Sequence, residues 1–254
     1  MNRLLAVAAN TYRETVRERV LYNLVLFALL MTVSGLLMKQ LSIRQDERII
    51  KDIGLGAMEL FGSLIAVFLG VGLVSKEIER RSLYPLLAKP LGRGEFILGK
   101  FAGLGFTLLV NVAVMTAGLY LTLAATHAAF DPNLLKAVYT MFLGLLLVVA
   151  LALLFSALSS SMLAAVGTVI LIVAGRFSDI IRNMKQVAPG TPDWLSHALY
   201  YALPNFRNFD LKSRVVHFDP VPLADLGWIT FYAAAYLAVV LGLALAVFRS
   251  RDLV

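Results

Sequence analysis

The chain contains no cysteine, which excludes a disulfide scaffold, a zinc–thiolate or iron–sulfur cluster and a catalytic thiol. It is also poor in charge, with Asp, Glu, Lys and Arg together only 15% of 254 residues, less than a water-soluble surface carries. Histidine is scarce. His127, His197 and His217 are too far apart in sequence for a local metal site, and the eight methionines are scattered rather than clustered. No nucleophile–base set or paired-carboxylate arrangement can be assembled into a reaction class, so the chain is not expected to be an enzyme. What is abundant is apolar. Hydrophobic residues make up 59% of the chain and mean hydropathy is +0.80, the composition of an all-α integral membrane protein. The net charge of +7 comes from basic residues placed beside apolar runs. Lipid headgroups, not nucleic acid, are the expected counterions.

Charge-free length defines the spans. Charge-free runs at 20–38, 101–130 and 226–248 each provide about the 20 residues that a bilayer requires, as does 53–75 with Glu59 its one charge, giving spans at 20–38, 53–75, 97–125 and 226–248. Residues 137–175 are free of charge over 39 positions, a helix of about 58 Å and nearly twice the hydrocarbon thickness. That stretch must fold back. Ser159, Ser160 and Ser161 are its one polar cluster, so a tight turn is expected there, dividing spans at 134–158 and 162–179. The expectation is six spans in a single transmembrane domain covering residues 1–254.

The first twenty residues do not read as a secretory signal, because Arg13, Glu14, Arg17, Glu18 and Arg19 stand where an apolar core belongs. Leu4, Leu5, Ala8, Tyr12 and Val16 recur at helical spacing opposite those charges, predicting an amphipathic helix in the membrane interface. Lys76, Arg80, Arg81, Lys89, Arg93 and Lys100 make the second loop strongly basic. This favours both termini in the cytoplasm of a multi-pass inner-membrane protein. Residues 39–52 read as a short loop of mixed charge. Residues 176–225 are broken by five prolines, and Thr191-Pro192-Asp193 starts a short amphipathic helix along Trp194, Leu195, Ala198, Leu199 and Ala202, interfacial or re-entrant on the outer side.

The second loop, KEIERRSLYPLLAKPLGRGEFILGK over 76–100, can be parsed further. Ser82 is an N-cap, Pro85 falls in the first turn where its missing N–H costs nothing, and Lys89-Pro90 ends a helix from Leu83 to Ala88. Leu83, Leu86 and Leu87 would be poorly placed in water, so a partner surface or the membrane should cover them. Gly94 to Lys100 matches phosphate-loop spacing, yet Phe101 replaces the Ser or Thr that would hold magnesium and no strand precedes it. ATP is not expected to bind this chain. Glu59 shares a helical face with Gly62, Ser63, Ala66 and Gly70, a stripe suited to close helix packing. Glu59 and Asn111 are the two candidates for a translocation path; the competing readings are helix packing near the outer interface for Glu59 and an interhelical hydrogen bond for Asn111. Arg176 is expected to snorkel outward from the end of span five.

The second loop, the LFSALSSSMLAA turn and the YYALPNFRNFD element before the last span resemble the membrane subunits of type-2 ABC exporters, the group that includes permeases linked to multicopper-enzyme maturation. The resemblance implies a permease moving an unidentified substrate by alternating access. It implies a cytosolic ABC ATPase as partner, with ATP and magnesium held there, and a second permease copy or similar subunit. It also implies a coupling helix, Leu83 to Ala88, docking into the ATPase with contacts from Glu79, Ser82, Leu83, Tyr84, Leu86, Leu87 and Lys89. Two other classes compete: an ATP-independent scaffold for envelope or periplasmic enzyme assembly, and a secondary transporter. The latter lacks the inverted repeat and mid-membrane charge network it would need.

Overall fold

A computed structural model describes residues 3–17, 26–31, 33, 46–79, 93–128, 130–183 and 192–250. Among them every regular element is helical, in the order α1 (Arg3–Arg17), α2 (Asp46–Glu79), α3 (Arg93–Ala125), α4 (Pro132–Leu158), α5 (Ser161–Arg176), α6 (Ser178–Arg182), α7 (Asp193–Ala202), a 3-10 turn (Phe206–Phe209), α8 (Lys212–Val216) and α9 (Leu223–Ser250). Four of these, α2, α3, α4 and α9, are long and apolar enough to cross a membrane. α5 is apolar but has only 16 residues, about 24 Å against a core of about 30 Å. Most of the expected first span lies outside the described residues, so the count of six reaches beyond them.

α4 is the axis of the bundle, with α2 and α9 packed along it. Two glycines of the α2 stripe allow the first contact: a Cβ on Gly62 would lie 2.7 Å from Leu145 Cδ1, and one on Gly70 2.5 Å from Ala152 Cβ. The stripe is a packing seam. α1 packs against the first turns of α3 in the same way, where Gly99 faces Val7 and Gly103 faces the Ala8 carbonyl and Thr11. The Gly99-Lys100 pair that imitates a phosphate loop is therefore the middle of a helix–helix contact. The docked face of α1 shares Ala8, against Gly103, and Tyr12, against Phe106, with the one read by periodicity, but it also takes in the buried Thr11 and Thr15 and leaves Leu5 58% exposed. Threonine tolerates this because the Thr15 hydroxyl donates to the Thr11 carbonyl at 2.7 Å.

The helices share two ends. At the near end, beside α1, Phe96 of α3 stacks on Phe248 of α9, Ser156 of α4 approaches the Val71 carbonyl of α2 at 3.5 Å, and the chain turns at Ser159 and Ser160. The expected serine turn is present, one residue before α5. The far end gathers the start of α2, the α3–α4 connection and parts of 177–183 and 192–222. α2 begins at Asp46, well before the expected boundary, so the second half of the mixed-charge loop is helix. Its charges do not break the helix because Glu47 pairs with Lys51 one turn on, at 2.7 Å.

Candidate functional site

Four contacts fall at one height, each about 20 Å along its helix from the near end. On α2 and α5, Arg176 Nη2 donates to Glu59 Oε1 at 2.5 Å, with the side chains 42% and 27% exposed. On α4, a Cβ at Gly144 would touch Phe209 at 3.3 Å; on α5, one at Gly175 would lie 2.2 Å from the Pro204 carbonyl oxygen. On α9, the Tyr236 hydroxyl meets the carbonyl oxygens of Tyr201 and Leu203 at 2.9 and 3.0 Å. The chain between α7 and α8 thus reaches mid-height of α9.

Backbone at that depth has little water available, so its polar groups need protein partners. They have them. The Asn205 amide N–H donates to the Tyr232 hydroxyl at 2.8 Å, and Asn205 Oδ1 accepts from the Arg207 amide and the Ser178 hydroxyl. Arg207 also pairs with Asp179 on α6. Phe206 and Phe209 are buried and anchor the tip in the core. Only glycine at 175 allows the Pro204 carbonyl so close, which explains why the YYALPNFRNFD element lies against the end of α5. On α7, Ser196 is buried against the bundle while Trp194, Ala198 and Ala202 point away. That is the orientation in which an interfacial helix meets lipid.

Next to Glu59, a water-sized crevice is lined by Leu55, Met141, Phe209, Asp210 and Lys212, among others. Lys212 Nζ pairs with Asp52 Oδ1 at 3.0 Å, one face of α2 above Glu59. A polar wall therefore runs down α2 from Asp52 past Gly56 to Glu59. Two sequence expectations change here. Arg176 does not snorkel outward but turns to Glu59. Asn111, at a similar height on α3 and only 5% exposed, donates to the Thr107 carbonyl of its own helix at 2.8 Å rather than across helices, and its Oδ1 has no partner among the described residues.

A second charged cluster lies at the far end. The Lys51 side chain is completely buried, pairs with Glu47 and Asp131 at 2.7 Å each, and lies 4.3 Å from the centre of the Phe218 ring. Asp131 also caps α4 by accepting from the Asn133 amide at 2.9 Å. None of this was legible as a site. Glu47 and Lys51 at one-turn spacing and the Asp131-Pro132 helix start were visible, but not that they meet. Tyr232 and Tyr236, one turn apart in an otherwise apolar span, were the available signal for a buried polar contact.

The profile of the ABC-2 family transporter protein matches residues 5–253. The chain belongs to that family. It is a multi-pass membrane protein and a permease subunit of an ABC transporter, whose family implies a partner ATPase subunit. No individually curated protein matches it. Of the ATPase contacts expected for this ABC-2 permease, Glu79 is the last residue of α2; Ser82, Leu83, Tyr84, Leu86, Leu87 and Lys89 lie outside the described residues.

Proposed function

We propose that this ABC-2 permease is one half of an exporter's membrane domain, with six spans and both termini in the cytoplasm of the inner membrane, paired with a second copy. The near end is then cytoplasmic and carries the Leu83 to Ala88 coupling helix between α2 and α3. ATP and magnesium bind the partner ATPase; its closure pushes that helix and tilts α2 and α3 between two packings, the alternating-access cycle. Glu59 and Asn111 line the translocation path in this reading.

The observation that carries it is the match of the family across nearly the whole chain, 5–253. The wall of α2 supports the path assignment. A partly exposed ion pair in the outer part of the bundle is costly against lipid, so the Glu59–Arg176 face should meet water or protein.

Replacing Leu86 and Leu87 with Asp tests the coupling role. Burying an unpaired charge in the contact costs several kcal/mol, so recovery of the ATPase in a pull-down should fall more than about a hundredfold while the size-exclusion profile of the permease is unchanged. Undiminished ATPase recovery would remove this helix from the mechanism.

A further inference from the structure

Several links converge at the far end on residues 217–221, the stretch leading into α9. Phe218 has Lys51 of α2 beneath its ring and Arg48 at 5.4 Å from its centre. Lys136 of α4 donates to the Val221 carbonyl at 2.8 Å. Through Asp131, Lys51 ties the same stretch to the start of α4, and the Tyr120 hydroxyl of α3 holds the Asp131 carbonyl at 2.8 Å. Phe218 has a φ of 61°, a left-handed backbone that a bulky residue keeps only where its surroundings over-determine it. Among the described residues the layer below has nothing equivalent between α2 and α5. There the polar link among the described residues is one pair, and both side chains are partly exposed.

We propose that the Lys51 cluster is a permanent clamp that keeps the far ends of α2, α4 and α9 a single body throughout the ATP cycle, so that movement is taken up below it, where α5 meets α2 at Glu59 and Arg176. The clamp stands on this geometry; the second clause rests on the exporter mechanism proposed above. Opening the clamp would strand the Lys51 ammonium, whose side chain is completely buried. Arg176 and Glu59 are both partly exposed, so neither is enclosed when they separate.

Hydrogen–deuterium exchange on the permease–ATPase complex, nucleotide-free and trapped with ATP and vanadate, tests this. Peptides over 47–55, 126–136 and 217–226 should exchange slowly and equally in both states, while those over 57–64 and 170–182 differ. Lys51→Met should speed exchange in the far-end peptides by about tenfold or more, since local opening no longer breaks a buried pair. State-dependent exchange of the far-end peptides in the native chain overturns the proposal, and so does unchanged exchange in Lys51→Met. Should that variant not fold, Phe218→Leu, which keeps every charge and removes the ring, must speed exchange over 217–226; unchanged exchange there overturns the clamp. If the ATPase fails to co-purify, or trapping alters no peptide, the exporter mechanism falls, and the Lys51→Met comparison still decides the clamp.

Discussion

Lys51 and Arg176 are both cations facing carboxylates from distant parts of the chain, yet they belong to different physical regimes. Lys51 is completely buried with two carboxylates and a ring around it; Arg176 and Glu59 form a single pair with both side chains partly exposed. Removing one partner of a buried pair costs about 3–5 kcal/mol, because the remaining charge has no solvent to return to. A partly exposed pair contributes about 0–1 kcal/mol. The first is built to persist and the second to exchange, although the residue types are nearly the same. Burial, not charge, separates them.

The largest test of that contrast is Lys51→Ala. It should lower stability by about 3–5 kcal/mol, read from thermal unfolding in detergent, and Lys51→Met should cost less because it refills the volume without a charge. A Lys51→Ala variant as stable as the native chain would place both clusters in one class.

Gly175→Ala comes next. The Pro204 carbonyl at 2.2 Å from the added carbon is backbone and cannot rotate away, so a loss of about 1–3 kcal/mol is expected. Gly227→Ala, with nothing within 4 Å, is the control and should be neutral or stabilising by up to about 1 kcal/mol. Equal behaviour of the two would mean the segment at Pro204 does not press on α5.

Glu59→Gln should move stability by less than about 1 kcal/mol while slowing ATP turnover by the assembled complex. The readouts are unfolding and ATPase rate on the same preparation. A large stability loss would make this pair a second clamp. The smallest perturbation is topological. The chain lacks cysteine, so Ser160→Cys and His197→Cys, both exposed, can be labelled directly with a membrane-impermeant reagent. Ser160→Cys should react from the cytoplasm and His197→Cys from outside. Reaction of both from one side would place the near and far ends together and undo the comparison.

Much of the frame is legible from residue order. Apolar length marks α2, α3, α4 and α9, and a charge-free run too long for one crossing forces the turn that is found at Ser159 and Ser160. The small-residue stripe at Gly62 and Gly70 is also visible, because close packing needs missing side chains. The start of α2 was not legible. Asp46 to Asp52 has the composition of a loop, and only pairing and burial keep it helical. For a similar reason the docked face of α1 reaches beyond its apolar face to Thr11 and Thr15, since a threonine whose hydroxyl bonds the backbone, as Thr15 does, packs as well as a small apolar residue.

The sequence by itself determined a membrane protein built of helices, the place where it turns back on itself and the glycines that let helices close. These follow from local properties: apolar length, small size and charge within a turn or two. Only the tertiary structure decided which charges are buried and with whom. Lys51 meets Asp131 across 80 positions and Arg176 meets Glu59 across 117. The energy of an ion depends on the water and partners around it. Those are set by packing between distant segments, which no local pattern records.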